Sequence, residues 1–269
     1  DIRLGMGYEP LCVPVKSRAE ANGFRMDDDE MEQVVQQIVE ETRIVDRVPA
    51  RVLLRKYHTV GIIGNRHRAR DLMRSLLVEL TCQHSPQDVQ LVGIFDKEER
   101  GTWSPLRWLP HIWDAEGQFR YIAFDEKRTH TVCDLLYETL KKRQRAAHEA
   151  NGRNLPVPSP YYVVILGSKS LIHKEQLLEL LTTNDPAMGV STLFLFDDLY
   201  SLPQECQFII DVDHDPCAYD RQGVNRKFFF TMDAPPDADA FDAFARRMSS
   251  FRAEERAAAA GLPDSITFL

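Results

Sequence analysis

The chain has 269 residues, 43% of them hydrophobic, enough for a sizeable core in one large or two small domains. A formal net charge of −8 and an isoelectric point near 5.5 argue against a protein that tracks nucleic-acid phosphates with a basic face. No apolar run approaches the roughly 20 residues that cross a bilayer, and the start, Asp1-Ile2-Arg3-Leu4-Gly5, lacks an apolar leader and reads as an excised soluble piece of a longer protein.

Residues 1–57 read as an entry segment that packs on the core. It holds short extended pieces, Ile2 to Met6 and Leu11 to Val15, and one helix. Asp27, Asp28, Asp29 and Glu30 mark the helix start through the dipole, and Met31, Val34, Val35, Ile38 and Val39 recur at helical spacing as one apolar face. From residue 58 to 232 strands and helices alternate. Strands are expected at Val60 to Ile63, Leu91 to Phe95, Tyr121 to Phe124, Tyr162 to Leu166 and Ser191 to Phe196, with further ones near one edge at Phe208 to Val212 and Phe228 to Met232. Helices are expected from Asp71 to Gln83 with Leu72, Leu76, Leu77 and Leu80 inward, from Lys127 to Ala150, and around Leu177 to Leu181. Continuous apolar strands alternating with helices imply an α/β fold whose parallel sheet is covered on both faces. A proline-rich connector spans Gly152 to Pro160. Residues 233–269 are expected to form an amphipathic helix, about Asp239 to Ala260, and then a linker to another domain.

The junction after the first core strand carries the most information. Gly61 and Gly64, followed by Asn65, Arg66, His67, Arg68, Ala69, Arg70 and Asp71, have the frame of a phosphate-binding loop. A working loop wraps phosphates with backbone N–H groups, using glycines, a lysine and a Ser or Thr hydroxyl. Here His67 and Ala69 stand at the later glycine positions, Arg70 at the lysine and Asp71 at the hydroxyl. An imidazole would fill the cradle and a carboxylate would repel the γ-phosphate. The second element of such a site, an apolar strand ending in Asp-Glu, corresponds to a strand ending in Gly167 and Ser168. Failure at both motifs predicts a nucleotidase frame without hydrolysis.

Other chemistry-bearing residues have two readings each. Asp96, Asp125, Asp197 and Asp198 end strands, where they could hold a metal or cap the helices that follow; capping is preferred. Asp211, Asp213, His214 and Asp215 read as a solvated turn. Arg66, His67, Arg68 and Arg70 could bind an anion at a helix N-terminus, or contact acidic residues of this protein or a neighbour, the second being preferred. Trp103, Arg107 and Trp113 are candidate interface residues in a loop that also holds Trp108, itself the expected core member. Cysteines 12, 82, 133, 206 and 217 form no Cys-x-x-Cys pair, which suggests reduced thiols, and the scattered histidines predict no metal site.

Taken in order, Arg3-Leu4-Gly5-Met6-Gly7, Val60-Gly61-Ile62-Ile63-Gly64, His84-Ser85-Pro86, Arg107-Trp108-Leu109-Pro110-His111, Leu202-Pro203-Gln204-Glu205-Cys206 and Leu262 to Leu269 resemble the FtsK/SpoIIIE-type ATPase of type VII secretion systems, the EssC/EccC family. The match is to the degenerate ATPase-like module before the first well-formed ATPase domain. The resemblance implies a P-loop NTPase-like fold and a membrane-anchored hexameric motor that exports small helical-hairpin proteins. This module would lie on the cytoplasmic face of the membrane, coupling the membrane portion to the motor domains. Its implied partners are the adjacent ATPase domains, neighbouring subunits and other membrane components, with no nucleic acid. ATP and Mg belong to the parent protein; no cofactor is expected here. An atypical working ATPase module and a DNA-translocase module are the alternatives.

Overall fold

The computed structural model describes residues 1–11, 13, 29–114, 116–150, 157–221 and 227–251. Among these residues ten strands form one sheet: β1 (Ile2–Pro10), β2 (Ile44–Val52), β3 (Thr59–Ile63), β4 (Val89–Ile94), β5 (Ile122–Ala123), β6 (Tyr161–Leu166), β7 (Val190–Leu195), β8 (Phe208–Asp211), β9 (Cys217–Asp220) and β10 (Phe228–Met232). Their order across it is β2-β1-β10-β9-β8-β3-β7-β6-β4-β5. Six adjacent strands, β8 to β5 in that order, are parallel, as the continuous apolar runs predict. The four beyond β8 are antiparallel. The sheet is therefore mixed, with β10 third and β8 fifth from one edge.

The α-helices among the described residues are α1 (Asp29–Glu41), α2 (Arg66–Gln83), α3 (Arg100–Trp103), α4 (Glu126–Glu149), α5 (Lys169–Ile172), α6 (Gln176–Thr182) and α7 (Ala238–Met248). On one face of the sheet Leu72, Leu76, Leu77 and Leu80 of α2 pack with Trp103, Leu106 and, from α7, Phe241. On the other, Val132, Leu136 and Leu140 of α4 pack with Leu177, Leu180 and Leu181 of α6. Side-chain caps set the starts: Asn65 for α2, Asp125 for α4 and Asp237 for α7 each accept a backbone N–H of the first turn.

The N-terminal region joins the sheet. β1 pairs with β10 only through Gly5, Met6 and Gly7, yet it continues against β2 as far as the Pro10–Ile44 pair. The two-stranded ribbon thus runs past the sheet and carries α1. Among the described residues no other element packs extensively on α1, and its apolar face is not buried as expected: Val34 is 50% and Ile38 52% exposed. The Met31 side chain, Asp27 and Asp28, most of the Leu11 to Val15 piece, Cys12, Gly152 to Pro156 and everything after Phe251 lie outside the described residues.

Leu76 is fully buried between α2 and the sheet. Leu76→Ala should cost about 2–5 kcal/mol, the range for a core leucine whose site relaxes only partly. Urea unfolding would check this, and a loss below about 1 kcal/mol would contradict the packing described.

Candidate functional site

β3 is buried along its whole length and delivers the chain to Gly64, whose φ of +105° favours glycine. A Cβ there would stand 2.7 Å from Asp213 Oδ1. Gly61, by contrast, is small because Leu202 packs on it: an added Cβ would lie 2.3 Å from a Leu202 methyl.

From Gly64 on, five of the backbone donors that would wrap a phosphate, those of residues 64, 65, 67, 68 and 69, are already engaged. The Gly64 N–H donates to the Asp197 carbonyl at 3.1 Å, and the Ala69 N–H to the Asn65 carbonyl at 2.9 Å. The Asn65 N–H donates to Asp213 Oδ1 at 2.7 Å, while the Asn65 side-chain oxygen accepts from His67 N at 3.0 Å and Arg68 N at 3.2 Å. Asp213 is thus no merely solvated turn residue. Its carboxylate takes the place at the helix N-terminus that an anion would take.

The guanidiniums are engaged likewise. Arg66 donates through Nε to Glu99 Oε1 at 2.7 Å, through one Nη to the Gly167 carbonyl at 2.9 Å and through the other to the Leu195 carbonyl. Arg70 donates to the same Glu99 oxygen at 2.6 Å, and the Trp103 indole N–H to Glu99 Oε2 at 2.9 Å. Burial works to raise the Glu99 carboxyl, but hydrogen bonds from Arg66, Arg70 and Trp103 together outweigh it and hold the group below its ordinary value. Arg68 turns away and donates to the Asp213 carbonyl at 2.7 Å.

Two expectations fail at this point. His67 does not fill the cradle: its ring is 77% exposed and Nδ1 faces Asp71 at 3.0 Å. Nor does Asp71 face the crevice, since it pairs with Arg74 at 2.6 Å on the α7 side, where Arg74 also reaches the Pro236 carbonyl. The i,i+4 and i,i+3 spacing places both partners of Asp71 along one flank of α2. What remains at the C-terminal ends of the strands is a crevice of about 680 Å³ lined by Arg66, Arg70, Lys169, Asp96, Glu98 and Asp197 among others. Gly167 and Ser168 sit at the end of β6. An added Cβ on Gly167 would meet the Phe95 ring at 2.6 Å. The Ser168 hydroxyl donates to Asp96 and caps α5. Asp125 and Asp198 act as caps, whereas Asp197 is exposed 3.9 Å from Arg66.

The tryptophan loop also differs from its reading. Trp103, expected among the interface candidates, is fully buried and stacks on Phe95 with ring centroids 4.9 Å apart. Its indole N–H has the Glu99 partner that burial requires. Trp108, expected in the core, is half-buried between the guanidiniums of Arg107 and Arg246. Arg107 is exposed, and Trp113 is half-buried under Arg120.

One group that could hold a metal was not foreseen: His130, Asp134 and Glu175 on the α4 surface, with ligand atoms within 4.8 Å of one another. Each ring nitrogen of His130 faces a carboxylate at 3.3 Å, and its pKa is raised, first by the Glu175 hydrogen bond and then by Asp134. The arrangement suits an imidazolium clasped between two carboxylates, a form that leaves no nitrogen lone pair for a metal. Cys133, Cys206 and Cys217 are buried free thiols and Cys82 is exposed and free.

No family model matches the chain. The type VII secretion system protein EssC of Staphylococcus aureus is 27% identical over 217 residues, which cover 78% of this chain and 14% of that protein. The ESX secretion system protein EccC of Geobacillus thermodenitrificans is 24% identical over 100% of this chain and 18% of its own length. The chain is a homologue of a segment of the EssC/EccC proteins. It spans less than a fifth of the length of either relative. Among solved structures, EssC (ATPases 2 and 3) from Geobacillus thermodenitrificans superposes with a TM-score of 0.56 at 13% identity, over 92% of this chain and 47% of that one. Thermomonospora curvata EccC (ATPases 2 and 3), in complex with a signal sequence peptide, gives 0.51 at 14% identity over 76% and 44%. At such identities the likeness is one of fold, the α/β fold of the EccC ATPase domains.

Two outcomes test this site. Trp103→Ala should cost about 3–5 kcal/mol in chemical denaturation, because it empties a core position and removes a donor from Glu99. For acidity, Glu99 has a native pKa below its ordinary 4.5, so its contribution is complete above that ordinary value and is lost as pH falls through the lowered native one. Thermal midpoints of the wild type should therefore drop more steeply below pH 4.5 than those of Glu99→Gln, which should already be destabilised at pH 7. Parallel midpoint curves for the two proteins would contradict the assignment.

Proposed function

We propose that the chain is the ATPase-like module that precedes the first well-formed ATPase domain in an EssC/EccC-type secretion protein. In this reading it neither binds nor hydrolyses ATP, and it works through protein contacts that couple the membrane portion to the motor domains. One observation carries the reading. The backbone N–H groups of residues 64, 65, 67, 68 and 69 already have acceptors within the protein, as do the Arg66 and Arg70 side chains. An entering triphosphate would have to displace Asp213 and Glu99 and overcome their charge, with no Lys, Ser/Thr hydroxyl or Asp-Glu pair at the corresponding positions to reward it. The loop residues Gly64 to Asp71, with Gly167 and Ser168, would then serve as structure.

The same reading places the chain at the cytoplasmic face of the membrane. Its partners would be the adjacent ATPase domains, neighbouring subunits and membrane components. One similar structure, that of Thermomonospora curvata EccC, holds a signal sequence peptide; secreted substrates are accordingly candidate partners of the parent protein. Arg107 and Trp113 remain candidate contact residues, and Trp103 does not.

Isothermal titration of the chain with Mg–ATP should give no heat of binding, and purified protein should release no phosphate. Steady hydrolysis that disappears in Arg70→Ala would overturn the reading and establish an atypical working site.

A further inference from the structure

Among the described residues, the exposed large apolar side chains concentrate on the N-terminal ribbon and its helix. Val13 is 74% exposed, Ile44 57%, Ile38 52% and Val34 50%, with Tyr8 and Val45 close behind. Val34 and Ile38 are four residues apart on α1 and lie one above the other on its surface. Val35 and Val39, half-buried, widen the stripe. A stripe of this kind ordinarily faces a core, yet among the described residues no other element packs extensively on α1. An apolar stripe left in solvent on a helix marks a place where something docks.

Charge selects what docks. Residues 29–47 contain six carboxylates, Asp29, Glu30, Glu32, Glu40, Glu41 and Asp46, against two guanidiniums, Arg43 and Arg47. One of those guanidiniums is already taken by Glu40 at 2.7 Å. A second copy of this helix would bring like charges together along the seam. An anionic lipid surface would be repelled in the same way, since interfacial helices carry Lys and Arg on the polar face. We propose that α1 and the ribbon tip form a docking arm for a partner protein that offers an apolar groove or helix face rimmed by Lys and Arg, a helix-in-groove mode. The inference rests on the contact-mediating reading above and names the surface and partner chemistry. The arm adjoins β10, three strands from β3 in the sheet order.

The probe is a synthetic amphipathic helix with Leu at i, i+3, i+4 and i+7 and Lys elsewhere, compared with a twin carrying Glu for Lys, each titrated by fluorescence anisotropy against the 269-residue chain. The Lys peptide should bind and the Glu peptide should not. Val34→Ser with Ile38→Ser should weaken binding about tenfold or more while leaving the thermal midpoint unchanged, because both side chains are half in water. If that variant proves unstable, Glu40→Lys with Glu41→Lys should weaken the Lys peptide and admit the Glu peptide. Equal binding of the Lys peptide by wild type and apolar variant would overturn the proposal, as would equal binding of the two peptides. Concentration-dependent dimers lost in the apolar variant would assign the face to a second copy instead. Wild-type-only sedimentation with phosphatidylglycerol vesicles would assign it to a membrane. Mg–ATP binding in a parallel titration would overturn the non-catalytic reading alone, and loss of arm-dependent binding would overturn this proposal alone.

Discussion

A carboxylate that is nearly out of water must be compensated in place, and Glu99 is compensated three times over, by Arg66, Arg70 and the Trp103 indole. Because Arg66 also reaches the carbonyls that end β6 and β7, this one group ties together the start of α2, the turn that follows β4 and two strand ends. Two of the donors come from α2 and the third from α3. The junction consequently holds only when all of them are in place, which is the cooperativity expected of a satisfied polar network.

The same logic runs along the loop after β3. A helix N-terminus exposes donors and a partial positive charge, and the usual remedy is an anion or a cap. Here the anion is Asp213 and the cap is Asn65, both supplied by the chain. At the end of the sheet where this fold places a ligand crevice, the loop donors are therefore already met by the protein's own groups. The remaining volume is lined by both signs of charge rather than by a cationic cradle.

The two ends of the sheet are finished differently. Beside β4 and β5, aromatic rings and guanidiniums seal the surface: Trp103 lies within the core, Arg107 and Arg246 flank Trp108, and Arg120 covers Trp113. Beyond β10 the tip of the β1–β2 ribbon runs past the sheet, and Tyr8, Ile44 and Val45 stay in solvent there. A fold that keeps its frame while occupying its own phosphate-loop donors can serve through its surfaces, since function resides in sites carried on folds.

Hydrophobic periodicity alone determined the strand–helix alternation from Thr59 to Leu195 and the inward leucines of α2, because both patterns are local and repeat at the element's own period. It also showed that the residue types of a working phosphate loop are missing. It missed β2, which contains Pro49 and two arginines and is exposed along most of its length, and β9, a four-residue strand whose pattern is too short to read. Burial of α1 was misjudged because periodicity reports a face and not what lies beneath it. The partners of the loop were invisible for another reason. Glu99 lies 33 positions from Arg66, and Asp213 lies 148 from Asn65; only the packing of the 97–112 segment and of β8 against β3 brings them together. Trp103 left its expected interface role on the same ground: residue type allowed either place, and the position of Phe95 and Glu99 supplied a core site in which its indole N–H is satisfied.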